Sequence, residues 1–152
     1  MKKLVILRHG KHGYDRRISE EGREQMEQAG EKIEALAGDR DTFFLLSSTA
    51  PRAVDSAKVL CEMFGWTEDD FEQHEVLWAE DNHPENLPAA LGLVKDKADE
   101  GDILILVTHM EYGMEFPSYF GKREFGLIWR SPDLYYGEGM VIDCDERTLD
   151  RL

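Results

Sequence analysis

A chain of 152 residues, 41% apolar and 33% charged, has the composition of a folded, water-exposed domain. It is long enough to bury a core without metal or disulfide staples. Its formal net charge of -14, from 32 acidic and 18 basic residues, works against nonspecific association with nucleic acid or anionic membranes. The same field slows anionic ligands unless a local basic pocket overrides it.

The chain opens with "MKKLVILRHG", whose apolar run, Leu4 to Leu7, is too short for the core of a signal peptide. No stretch approaches the length of a membrane span. The run reads instead as a first buried strand, Lys3 to Leu7, delivering Arg8, His9 and Gly10 to its end, with Lys11 and His12 behind them. A helix follows from Ser19 to Ala37. Met26, Ala29, Gly30, Ile33, Leu36 and Ala37 recur at intervals of three and four, Ser19 is placed to cap the start, and Gly38 to end it. A second continuous apolar run, Phe43 to Ser47, leads into a helix from Pro51 to Phe64. Its face is Ala53, Ala57, Leu60, Cys61 and Phe64, with Gly65 as stop.

A third helix is expected from Pro84 to Ala98, carrying Leu87, Leu91 and Val94, with Pro88 blurring its start. The third apolar run, Ile103 to Thr108, ends on His109. The tail "DLYYGEGMVIDCD" reads as a short strand, a turn at Gly137 to Gly139, and a last strand from Met140 to Asp143. Continuous rather than alternating apolar runs mark strands buried on both faces. The order of elements therefore predicts an α/β fold, a three-layer sandwich with a mostly parallel central sheet flanked by helices and an antiparallel edge strand near the C-terminus. One domain over residues 1–152 is expected. Cys61 and Cys144 show no metal-ligand spacing, and two reduced cysteines suit a cytoplasmic location.

In such a sheet, ligands gather at the carboxyl ends of the strands. Arg8 and His9 follow the first strand, Arg52 sits in the first turn of the helix after the second, and His109 follows the third. Arginine forks match phosphate oxygens, a helix opening near Pro51 adds free N–H groups, and a neutral imidazole can attack phosphorus. Gly10 lets the backbone turn close to a ligand.

Four motifs in order carry a resemblance to the histidine phosphatase superfamily, also called phosphoglycerate mutase-like. They are "RHG" at Arg8, His9 and Gly10; "ISEEGREQMEQAG"; "SSTAPRAVDSAKVL"; and Thr108 with His109. The resemblance implies that His9 is the phosphorylated nucleophile and that Arg8, Arg52 and His109 bind the phosphoryl group, with Gly10 beside it. It implies water-driven release of phosphate with no metal or other cofactor. The implied activity is that of a metal-independent phosphatase acting on a phosphorylated small molecule or a protein phosphohistidine. The short chain resembles the phosphohistidine phosphatases more than the mutases. The alternative is a catalytically weak or inactive anion-binding module on the same fold.

The general acid is left open between Glu80, favoured, and Asp81 or Glu111. Lys11, Met110 and Glu111 depart from the family pattern. His12, three residues past His9, invites a metal reading, but no acidic ligand is spaced to complete it. His83 is read as a loop histidine, with a substrate rim as the alternative; His74 has no role. Trp78, Trp129, Tyr135 and Tyr136 are read as core aromatics, with a pocket wall as the alternative. Lys122, Arg123 and Arg130 are read as surface charge or contacts to an extended anion.

Overall fold

The structure is a computed structural model describing residues 1–152. Its strands are β1 (Lys3–Arg8), β2 (Phe43–Ser47), β3 (Glu72–Gln73), β4 (Ile103–Thr108), β5 (Gly139–Asp143) and β6 (Thr148–Arg151). Its helices are α1 (Glu20–Leu36), α2 (Pro51–Met63), α3 (Leu87–Asp96) and α4 (Met110–Phe120). The strands form one sheet in the order β3-β2-β4-β1-β5-β6. The pairs from β3 through β1 are parallel, and β5 and β6 add in antiparallel fashion. The predicted α/β class and antiparallel edge are both present.

The continuous apolar runs divide cleanly between the two faces, because successive strand side chains alternate. Val5, Leu7, Leu45, Ile105 and Val107 pack against Met26, Ala29 and Ile33 of α1 and Ala53, Ala57 and Leu60 of α2. Leu4, Ile6, Leu46, Leu104 and Leu106 face the other way, onto Ala90 and Val94 of α3 and Tyr112, Phe116 and Phe120 of α4. Burying a strand on both sides fixes its register, since a slip of one residue would exchange the two packed faces.

Ser19 caps α1 as expected, its hydroxyl accepting from the Gly22 N–H at 3.1 Å. The loop after β1 lies on the first turn of α1, backbone against backbone. A Cβ on Gly10 would stand 2.4 Å from the Gly22 carbonyl oxygen, and one on Gly22 would stand 2.1 Å from that of Lys11. Asp55 of α2 clamps the same loop from the other side. It accepts from Arg17 Nε at 2.7 Å and from the Ile18 N–H at 3.1 Å.

Several elements differ from the sequence reading. α3 begins at Leu87 rather than Pro84, because the Asn86 side chain accepts from the Ala89 N–H at 3.1 Å and Pro88 fits the first turn, where no N–H is needed. The tail segment around Leu134 to Tyr136 is not a strand. Its backbone serves side chains instead: the Leu134 carbonyl accepts from Arg8 Nη1 at 2.7 Å, and the Tyr135 N–H donates to Glu138 at 2.9 Å. The terminal hairpin is formed by β5 and β6, and β6 is an exposed edge strand whose sequence, TLDR, carries no apolar run. α4 had no counterpart in the sequence reading. Pro117 lies inside it, and a wider π-type turn, Gly121–Phe125, prolongs it.

Candidate active site

The parallel register builds the site. Arg8 of β1 stands opposite Thr108 of β4, so the residues immediately beyond, His9 and His109, emerge side by side. The His9 N–H donates to the Thr108 carbonyl at 3.0 Å, and the two rings meet edge-on with centroids 5.1 Å apart. β2 ends beside β4 and supplies Ser48, whose Oγ lies 2.8 Å from His109 Nε2. One residue into α2, Arg52 turns back toward the same point and is only 4% exposed.

Arg8, His9, Arg52, Glu80 and His109 all line one cavity of about 140 Å³, together with His12, Ala79, Met110, Glu111 and Tyr136. Gly10 does not line it. Its N–H donates to Ser56 Oγ at 3.0 Å, so its place is in the packing of the loop on α1. Lys11 is also outside: its ammonium reaches Glu21 at 2.6 Å on the exposed side of α1.

The hydrogen bonds of His9 fix its chemistry. Nδ1 lies 2.8 Å from the Gly10 carbonyl oxygen, which can only accept. Nδ1 therefore carries the proton, and Nε2 of the neutral ring keeps its lone pair. Arg52 Nε donates to that lone pair at 3.0 Å. Burial holds the His9 pKa down to about 3, helped by the positive charges of Arg52 and Arg8 and opposed by the Gly10 carbonyl. His109 is held down to about 2, again mainly by burial, then by His9, Arg52 and Arg8. Both rings are neutral at ordinary pH. His109 Nε2 lies 2.8 Å from Ser48 Oγ, whose hydroxyl can donate to it and so leave the proton on Nδ1, the nitrogen 3.4 Å from Arg52 Nη2 on the cavity side.

The arginines are poised for an anion. Arg8 lays its guanidinium 3.9 Å from the Tyr136 ring centroid, and its buried Nε–H has no partner. An unmet donor of this kind suits an incoming oxygen. Arg52 is paired with the Glu80 carboxylate, which offsets the charge of the buried guanidinium. α4 starts directly after His109, so its first turn, with Met110 and Glu111, faces the cavity.

A second, wider cavity of about 510 Å³ adjoins the first through Glu80 and Glu111. Asp81 lies only in this outer space, as do Arg16, Asn82 and His83. Of the three candidate acids, Glu80 is the one ion-paired within the inner cavity, and Glu111 lines both spaces. His83 stacks on Trp78 with centroids 4.2 Å apart, giving the outer cavity an aromatic wall. Tyr136, read as a core aromatic, is a wall of the inner cavity, whereas Trp129 packs against the core. His74 pairs with Glu72 at 2.9 Å, and Lys122, Arg123 and Arg130 line neither cavity. No group of three or more histidine, cysteine or carboxylate side chains is arranged to hold a metal ion. Sequence reasoning passed over the roles of Ser48, Ser56 and Asp55. The first two are hydroxyls near the motif histidines, but only the fold shows which ring or N–H each one meets.

Solved structures identify the architecture. SixA from Agrobacterium tumefaciens superposes with a TM-score of 0.68 at 18% identity, over 99% of this chain and 97% of its own. The chain has the histidine phosphatase fold. A SixA protein histidine phosphatase complexed with tungstate has this fold as well, with a TM-score of 0.70 at 11% identity over 99% and 94% of the two chains. So does a mycobacterial glucosyl-3-phosphoglycerate phosphatase complexed with VO3, at 0.68 and 18% identity over 100% and 98%. No family model and no curated protein matches the sequence. No helix is long and apolar enough to cross a membrane.

Proposed function

We infer that this histidine phosphatase fold carries a metal-independent phosphatase with His9 as nucleophile. The observation that carries the reading is the Nδ1–H of His9 held by the Gly10 carbonyl inside a cavity shared with Arg8, Arg52 and His109. That arrangement leaves Nε2 unprotonated and surrounded by donors suited to phosphoryl oxygens.

In the first step, the Nε2 lone pair attacks phosphorus and the bond to the leaving group breaks, P–O in an ester and P–N in a phosphohistidine. The leaving oxygen or nitrogen takes a proton from Glu80. In the second, water attacks phosphorus, gives its proton to Glu80, and the P–N bond breaks to release phosphate. Arg8, Arg52 and His109 hold the phosphoryl oxygens throughout. Glu80 is linked to this cycle by its partner: a phosphoryl dianion competes for Arg52 and frees the carboxyl group to turn toward the leaving group. Binding substrate thus releases from its ion pair the carboxyl group that the first step uses.

The substrate is a phosphorylated small molecule or a protein phosphohistidine, bound with its leaving group toward the outer cavity. A panel of small phosphate esters and a phosphohistidine protein, run with the wild type and His9→Ala, tests the reading. Turnover by the wild type alone supports it. Equal turnover by both proteins, or by neither, contradicts it and in the second case leaves an anion-binding module.

A further inference from the structure

The inner cavity contains a third histidine that the mechanism above does not use. His12 lines it alongside Arg8, His9, Arg52 and His109, with its ring centroid 5.6 Å from that of His9 and 5.9 Å from that of Tyr136. Its position is set by the loop: residue 12 bridges to Ile18, and the adjoining Arg17 and Ile18 are anchored on Asp55.

His12 repeats the local device seen at His9. Its Nδ1 lies 3.1 Å from the carbonyl oxygen of the next residue, Gly13. The carbonyl can only accept, so Nδ1 carries a proton in the neutral as well as the charged ring. Nε2 has no protein partner. It presents a lone pair when the ring is neutral and an N–H donor when the ring is protonated. A phosphoryl oxygen opposes the first state and accepts a charge-assisted hydrogen bond from the second.

The geometry points to His12 as an additional phosphoryl-binding residue that engages the anion only in its protonated form. This rests on reading the cavity as a phosphoryl site. The groups facing His12 act in both directions. Arg8 and Arg52 disfavour its charge, Glu80 and Glu111 favour it, and His9, His109 and the Tyr136 hydroxyl are neutral partners. The adjacent Lys11 is paired with Glu21, and Arg17 with Asp55. An arriving dianion adds negative charge beside the ring and favours protonation, so anion binding takes up a proton at this site. Affinity for phosphorylated substrates then rises as pH falls through the histidine range, while the chemical step on His9 keeps its own pH dependence.

The test uses sulfate, whose charge is constant through that range, with calorimetry on the wild type, His12→Asn and His12→Lys. Near pH 5.5 the wild type binds sulfate about tenfold more tightly than His12→Asn, and near pH 8 the two converge. His12→Lys keeps its affinity at the higher pH. As a check that needs no variant, saturating sulfate raises the apparent pKa of the His12 ring in the wild type, read by NMR. Equal wild-type and His12→Asn affinities at both pH values, with no shift of the ring, overturn the assignment while leaving His9 catalysis untouched. A wild type that binds no sulfate at either pH overturns both.

Discussion

The two adjoining cavities are built in different ways. The inner one takes its defining groups from positions one residue beyond in-register parallel strands, or from the first turn of the following helix. His9, Arg52 and His109 are each less than 5% exposed, and their orientations follow from backbone pairing. The outer one is lined by Arg16 and by the loop residues Asp81, Asn82 and His83, with Trp78 as its only large apolar wall. On the proposed function, the first region acts on phosphorus and the second meets whatever the phosphorus is attached to. Sheet register over-determines the chemistry, and specificity is left to loops that tolerate change.

Substitutions can sharpen or break that contrast. If His9 is the nucleophile, as proposed, His9→Ala should lower turnover of an aryl phosphate by about a thousandfold or more with the fold intact by circular dichroism. Glu80 stands where the two cavities meet. Glu80→Gln should slow alkyl phosphates by about a hundredfold and aryl phosphates much less, because a good leaving group needs no proton. An equal loss on both classes would assign Glu80 to Arg52 alone.

The buried imidazoles give a stability prediction of definite sign. The folded pKa of His9, about 3, lies below the unfolded value of 6.5, so the unfolded state binds more protons between them. Stability from this group is fully present above the unfolded pKa and is lost as pH falls toward the folded one. Relative to its difference at pH 7.5, His9→Gln should gain about 2 kcal/mol on the wild type by pH 5, measured by urea unfolding. No change in that difference would mean the ring is solvated. The smallest effect belongs to the outer cavity. Asp81→Asn and His83→Ala should each change kcat/KM less than about tenfold, in a manner that depends on the leaving group. A uniform loss of the size seen for His9 would erase the distinction between the regions.

The sequence made the inner region more legible than the outer one for the same physical reason. Strands buried on both faces appear as unbroken apolar runs, and each of the three runs ends beside a chemical group: Arg8 and His9, Ser48, and His109. Motif order then brought Arg52 to the same edge. Pairing partners had no such mark. The bond of Ser48 to His109 and the clamp of Asp55 on Arg17 and Ile18 join residues far apart in the chain. Gly10 was read as a turn near the ligand, whereas its lack of a side chain is required by the first turn of α1. Strand β6 and helix α4 have no such signal, because TLDR fully buries no side chain and so carries no apolar pattern, and Pro117 inside α4 argues against a helix.

The central claim is that the phosphoryl group passes through a covalent bond to one imidazole nitrogen. Mass-spectrometric mapping of protein quenched at neutral pH during turnover of an aryl phosphate tests it most directly. The account predicts a phosphoryl group on Nε2 of His9, absent from His9→Ala. Steady turnover with that histidine unmodified, or with the phosphoryl group trapped on another residue, would contradict it.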